Sequence, residues 1–189
     1  GNQYFRYFNR EIAEGITTAG QLSIKWIEKA VNDYLNKLLE TDTDYVVAID
    51  TDSIYVTFED LVDRVNPKNP VEFLDTIAKE KIEPYMKETY EELASYMNAY
   101  QNKMEMGREV IADKGIWTAK KRYILNVHDS EGVRYKQPKL KMMGIETAKS
   151  STPMWCRKKL EQGLKVVMTG TESDVWAFIT DARNEFNKL

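Results

Sequence analysis

Apolar residues recur at three- and four-residue steps through the first fifth of the chain: Ile12, Ile16, Ala19, Leu22, Trp26, Ala30, Tyr34 and Leu38. That period predicts one long amphipathic helix over 9–39, with Asn9 as its N-cap. Gly15 and Gly20 weaken it locally and offer points of close packing. Asp42–Asp44 read as a polar turn. The period then shortens to that of a sheet. Residues 45–50 read as a buried strand and Ser53–Phe58 as a second, with Ile54, Val56 and Phe58 on one face. Asn69-Pro70 marks a helix start, followed by an apolar stripe of Phe73, Leu74 and Ile77 that Pro84 should end or kink. A further helical run carries Met86, Tyr90, Leu93 and Met97 on one side.

From Lys103 the period moves towards two, with Met104, Met106 and Val110 alternating with Glu105 and Glu109. "WTAKKRYILNV" (117–127) reads as one strand with Tyr123, Leu125 and Val127 on a common face. "DSEG" (129–132) is a turn signal, and "VRYKQPKLKMMGIE" returns extended. Thr152-Pro153 opens another helix, and Thr171 with Asp174 three residues on resembles a capping box for the last. Helix, hairpin, helices, strands and helices follow without regular βαβ alternation. That order predicts an α+β fold.

Composition adds few constraints. The chain has 189 residues, 42% hydrophobic and 30% charged, the profile of a globular protein long enough to bury a core. Cys156 is the only cysteine, so no internal disulfide can form and a reducing compartment fits. No apolar run approaches the ~18–20 residues of a membrane span, so no membrane partner is expected. Neither GxGxxG nor a phosphate loop occurs, leaving a kinase or dehydrogenase without support. Charge is more telling. Residues 114–169 hold 13 Lys and Arg against 4 Asp and Glu, a net +9, in a chain of net −3, so the remainder carries −12. Such asymmetry suggests a face that meets a polyanion, although an unevenly charged solvated surface accounts for it equally well.

The acidic pair in "DYVVAIDTDSIYV" (44–56) stands out. In an extended segment, residues i and i+2 point to one side with α-carbons about 6–7 Å apart. Asp50 and Asp52 could then reach one site, with Thr51 pointing away. Close carboxylates repel unless a cation joins them, and oxygen donors suit Mg²⁺. Thr51-Asp52 is also poor chemistry for a tight turn, which favours Asn-Gly or Asp-Gly. A bare Asp-x-Asp is more often a solvated turn, as Asp42 and Asp44 are expected to be.

Four collinear stretches carry a resemblance. "DTDSIYV" after a hydrophobic strand resembles the Asp-Thr-Asp-Ser hairpin of the family B DNA polymerase palm. "KKRY" (120–123) resembles a second signature of that family. "PKLKMMGIETAKSSTP" (138–153) looks like the palm-to-thumb junction of T-even-like bacteriophage replicative polymerases. "GNQYFRYFNREIAEGITTAGQLSIKWIE" looks like the segment that follows the fingers.

The resemblance implies a polymerase palm-like antiparallel sheet packed on helices, then the first helices of a thumb. It divides the chain into a palm portion, 1–148, after missing fingers, and the beginning of a thumb, 149–189. It implies a DNA-directed DNA polymerase using two Mg²⁺ ions, with Asp50 and Asp52 as catalytic and metal-binding carboxylates. Asp52 is expected to be a direct ligand, with Asp50 acting more in support. Lys120, Lys121, Arg122 and Tyr123, extended by Lys139, Lys141 and Lys149, would bind primer-template DNA. Deoxynucleoside triphosphate would bind in the complete enzyme, in the cytoplasm of an infected bacterial host.

Some features depart from the family. Ala48-Ile49 stands where many relatives have Tyr-Gly. The earlier Asp-x-x-Ser-Leu-Tyr-Pro-like motif and the Asn-Ser-x-Tyr-Gly of the fingers do not occur. The chain alone is therefore expected to be inactive, with an N-terminal polymerase fragment as a partner. The alternatives are a non-catalytic DNA-binding module and a remnant that assembles with a partner subunit. Arg157, Lys158 and Lys159 would lie on a thumb helix. Nothing orients Cys156 and His128 as a nucleophilic pair. Met86, Met97, Met104, Met106, Met142, Met143 and Met154 are expected to fill core, and the four tryptophans to anchor it, with exposure left open for Trp117 beside the basic motif.

Overall fold

A computed structural model describes residues 3–188, with two compact units divided between Arg108 and Glu109. The architecture is α+β, as the element order predicts. Among the described residues no helix is long and apolar enough to cross a membrane.

The first unit opens with α1 (Arg10–Leu39), capped by Asn9, whose side chain accepts from the Ile12 N–H at 3.0 Å. A hairpin of β1 (Val46–Asp50) and β2 (Ser53–Val56) follows, then α2 (Glu59–Val65) and α3 (Pro70–Ile77). Asn69 caps α3 and Pro70 occupies its first turn, as expected. Pro84 does not end the helical path. A π-helical turn (Ala78–Ile82) widens the backbone, and α4 (Glu83–Tyr96) continues with Pro84 in its first turn. The wider turn is where a proline lacking its N–H can be accommodated.

The core of this unit contains Ile27, Val31, Leu35 and Leu39 of α1 against Tyr45, Val46, Leu61, Ile82, Met86, Tyr90 and Leu93. Ile49, Ile54, Val56 and Phe58 pack onto it, so the hairpin turns the face predicted for it inward. The predicted stripe of α1 is displaced. Its buried positions are Ile24, Ile27, Val31, Leu35 and Leu39, whereas Ile12, Ile16, Leu22 and Leu38 are exposed. Two apolar tracks run along this helix, and only packing selects between them. A β-carbon at Gly15 or Gly20 would meet nothing within 4 Å, so neither serves close packing. Met97 is exposed, and residues 101–109 are irregular rather than strand.

The second unit is a three-stranded antiparallel sheet with β4 (Arg122–Ser130) between β3 (Val110–Ala119) and β5 (Val133–Met143). A short 3₁₀ turn (Glu146–Ala148) leads to α5 (Met154–Thr169) and α6 (Glu172–Phe186). The capping box at Thr171 and Asp174 is present. Ile124, Ile145 and Met168 form a cluster joined by Ile116, Leu140, Met142 and Leu164, which seats α5 on one face of the sheet. Lys114 reaches the same helix end, donating from Nζ to the Met168 carbonyl at 2.8 Å. Pro138 falls where the β4–β5 register skips between Val127 and Asp129, on an edge strand that tolerates a missing donor. Of the expected core residues, Met86 is buried and Met106 and Met142 pack against clusters, but Met104, Met143, Met154 and Trp176 are exposed.

One ion cluster fastens the irregular 101–108 segment to α3. Arg108 Nη2 lies 2.6 Å from Asp75 Oδ1, Lys79 Nζ lies 2.9 Å from Asp75 Oδ2, and the Arg108 N–H donates to Glu83 at 2.8 Å. The hydrogen bond from Lys79, with the Arg108 guanidinium beside it, holds the Asp75 carboxyl below its ordinary value against the opposing effect of burial. A depressed folded-state value gives stability that is full above the unfolded value, about 3.9, and is lost as pH falls through the folded one. Asp75→Asn is expected to cost about 1–2 kcal/mol at neutral pH. The difference in melting temperature from the parent chain should narrow steadily below about pH 4. A pH-independent gap would show that the carboxylate's charge is not what stabilises the contact.

Candidate functional site

Asp50 ends β1 and pairs with Ser53, which begins β2, leaving Thr51-Asp52 as a two-residue loop. Such loops need positive φ, usually from Gly or Asn. Here Thr51 takes it, at φ 52°, an uncommon place for a β-branched residue. The Asp52 N–H and the Ser53 hydroxyl both donate to the Asp50 carbonyl, at 2.6 and 3.1 Å. The extended geometry expected for the acidic pair is therefore replaced by a turn, because the chain reverses between the two residues. Thr51 does not point away either: its hydroxyl donates to Asp50 Oδ1 at 3.1 Å. Asp50 is half-buried and Asp52 exposed at the tip.

Two asparagines one helical turn apart hold the base of this hairpin. Asn32 accepts from the Tyr45 N–H at 2.8 Å and donates to Asp44 Oδ1 at 2.8 Å. Asn36 accepts from the Thr43 N–H at 2.8 Å and donates to the Thr43 carbonyl at 2.9 Å. Asp44 thus has a structural role, and it also accepts from the Val46 N–H at 3.2 Å. Tyr45 is buried, with its hydroxyl 2.8 Å from the Thr41 hydroxyl and 3.0 Å from Asp60 Oδ2. Sequence periodicity missed this clamp, although two asparagines at i and i+4 on one helix face were its available signal. Asn32→Ala should lower stability by about 1–3 kcal/mol, since it removes the acceptor of the N–H of buried Tyr45. Chemical denaturation would reveal the loss, and an unchanged midpoint would argue that the clamp is dispensable.

The basic stretch is not one strand. Lys120 and Lys121 form the turn between β3 and β4, while Arg122 and Tyr123 begin β4. Lys121 has φ 60°. Both turn lysines are exposed, Arg122 is half-buried and Tyr123 is buried at 4% exposure, its ring 6.4 Å from that of Trp117. Leu125 and Val127 are buried as expected, but so are Ile124 and Asn126 on the opposite face of this central strand. Lys139 and Lys141 pair with Val127 and Leu125, which puts them on the Tyr123 face of the sheet, both exposed on the edge strand β5. Lys139 lies 4.2 Å from the Tyr135 ring centroid. Lysines on an edge strand also discourage strand-to-strand association.

Gly144 joins the two basic motifs. It adopts φ 65°, and a β-carbon there would overlap the Lys121 carbonyl and meet Arg122 Cγ at 2.9 Å. That approach delivers Glu146 to Arg122: Nη2 lies 2.6 Å from Oε1, and Lys149 Nζ lies 3.1 Å from the same oxygen. The Glu146 carboxyl sits below its ordinary value, first through its own backbone N–H, then through Lys149, with Arg122 adding to both. Glu146 and Gly144 were missed as site residues, although Glu146 is the one acidic residue among the cations of 133–160. Gly144→Ala should destabilise the chain by about 1–3 kcal/mol, because both conformation and space oppose a methyl group. Thermal unfolding tests this, and a neutral substitution would show that the turn can move aside.

The remaining candidates serve structure. Lys159 on α5 pairs with Glu185 on α6 at 2.6 Å and sits 5.9 Å from the Trp155 ring centroid. His128 on β4 faces Asp113 on β3, at 3.3 Å, and Cys156 lies on α5. Among the described residues no group of three or more His, Cys, Asp and Glu side chains converges as a metal site.

No protein-family model matches the sequence. The chain is 45% identical over 180 residues to the DNA-directed DNA polymerase of Escherichia phage RB69, covering 87% of this chain and 20% of that protein. It is 38% identical over 204 residues to the DNA-directed DNA polymerase of Enterobacteria phage T4, covering 100% of this chain and 23% of that protein. The chain thus spans between a fifth and a quarter of the length of these curated relatives. Over nearly all of its residues, the chain is thus similar to a segment of these two bacteriophage DNA polymerases.

Proposed function

We propose that this chain supplies the palm portion (1–148) and the beginning of the thumb (149–189) of a family B DNA-directed DNA polymerase. The observation that carries the reading is identity to named DNA polymerases across a segment whose hairpin tip holds Asp50 and Asp52. In this reading the proposed palm comprises the whole first unit and the sheet of the second, and the proposed thumb begins with α5 and α6.

Asp50 and Asp52 offer oxygen donors, the chemistry Mg²⁺ prefers, and further ligands would come from the rest of a complete enzyme. Two bound Mg²⁺ ions would activate the primer 3′-hydroxyl and stabilise the leaving oxygen of the deoxynucleoside triphosphate. The chain's own contribution is positional. Thr51 holds the Asp50 carboxylate, the tight turn projects Asp52 into solvent, and the asparagine clamp fixes the hairpin base. Lys120, Lys121, Arg122 and Lys149 around the turn, and Lys139 and Lys141 on the Tyr123 face of β5, are the cations suited to the phosphates of primer-template DNA. Tyr123, being buried, supports them by packing.

Assembly with the remainder of a polymerase is favoured by exposed apolar groups near the start of the chain. Tyr4, Phe5, Tyr7, Phe8, Ile12 and Ile16 all face solvent. In a primer-extension assay the chain alone should give no product. Adding a polypeptide that spans the rest of the polymerase should restore synthesis. Asp52→Asn should then reduce it by roughly 10²-fold or more, the cost of several kcal/mol of transition-state charge stabilisation. Robust synthesis by the chain alone, or by the restored Asp52→Asn enzyme, would overturn the reading.

A further inference from the structure

The basic turn contains an anion of its own. Glu146 Oε1 accepts from both Arg122 Nη2, at 2.6 Å, and Lys149 Nζ, at 3.1 Å, so two cations share one carboxylate oxygen. The contact uses the guanidinium incompletely. Arg122 Nε–H is buried without a hydrogen-bond acceptor, whereas a phosphate can accept from two donors of the fork together. Glu146, Arg122 and Lys149 are 46%, 42% and 51% exposed at the side chain, and ion pairs of such exposure hold little stability. Exchange of this carboxylate for another anion is therefore inexpensive. Gly144, where a β-carbon would overlap the Lys121 carbonyl, allows the close backbone approach that brings the carboxylate to Arg122 in the free chain.

From this geometry we infer that Glu146 is a resident competitor for backbone phosphate: duplex DNA gains Arg122 and Lys149 only by displacing it. Glu146 is thus a positioning residue that acts through those two cations. It keeps them oriented in the free chain and moderates affinity, so that the duplex is held without being trapped. The inference rests on the reading of this turn as a DNA-binding surface.

The test is duplex binding by the full chain, using a fluorescently labelled double-stranded DNA of arbitrary sequence titrated between about 50 and 200 mM salt. Glu146→Gln keeps the shape and removes the charge. It should steepen the dependence of log K on log salt by about 1–2 and tighten binding by about 5–30-fold near ~0.15 M salt, as one or two further phosphate contacts release counterions. Glu146→Ala should shift affinity in the same direction. In an Arg122→Gln/Lys149→Gln background, the Glu146→Gln effect should shrink to within about twofold, since its two routes are gone.

Unchanged or weaker binding by Glu146→Gln would overturn the inference. So would an equal gain in the doubly substituted background, which would mark a general charge effect. Lys120→Gln/Lys121→Gln separates the two levels. If it weakens binding while Glu146→Gln does not tighten it, the competitor idea fails alone. If the parent chain does not bind, or the lysine pair has no effect, the DNA-binding reading fails and the inference falls with it. Circular dichroism of each variant confirms that the fold is retained.

Discussion

The hairpin that carries Asp50 and Asp52 depends on contacts at its base. A two-stranded ribbon of four or five residues per strand is too short to hold its own register in water. Here Asn32 and Asn36 give the approaching loop the hydrogen bonds that a third strand would otherwise supply, and Tyr45 is buried with its hydroxyl satisfied. A register error of one residue would exchange the faces of β2 and turn Ile54 and Val56 outward. Because those side chains pack on the core, the register is fixed, and with it the position of the acidic tip. The strain at Thr51 is tolerated on that foundation.

Close backbone approach performs the same task in the second unit. Gly144 brings the segment after β5 against the β3–β4 turn, and Glu146 then ties Arg122 to Lys149. Charges that the sequence spreads over thirty positions become one cluster through this contact. The cluster is balanced as well as basic, since a carboxylate sits among the cations. Net charge along a segment cannot reveal such balance, because pairing depends on distance rather than on count.

The two proposed surfaces, one in each unit, have different physical demands. The acidic tip is exposed and carries little packing of its own, so its geometry is imposed from α1. The basic turn lies next to a sheet whose other face is seated on α5. Rigid elements carry both, which suits side chains that must meet charged ligands with small reorganisation. The unpartnered Arg122 Nε–H and the positive φ of Thr51 are two of the places where local satisfaction is incomplete, and both lie in segments that the family resemblance singled out.

Local signals in the sequence determined the helix caps at Asn9, Asn69 and Thr171, the strand pair around Asp50 and Asp52, the turn at Glu131-Gly132 and the α+β class. These are short-range matters of hydrogen-bonding side chains, proline and alternation, and they survive without knowledge of the rest of the chain. Tertiary packing alone decided which apolar track of α1 is buried, because two tracks satisfy the same period. It also decided that Lys120-Lys121 turn rather than extend, since the 117–127 pattern does not show where β3 must reverse to pair with β4. The contacts of Asn32, Asn36, Gly144 and Glu146 form only when distant segments meet. Their roles are hydrogen bonds and contacts across 7 to 24 residues, and no periodicity encodes a partner that far along the chain.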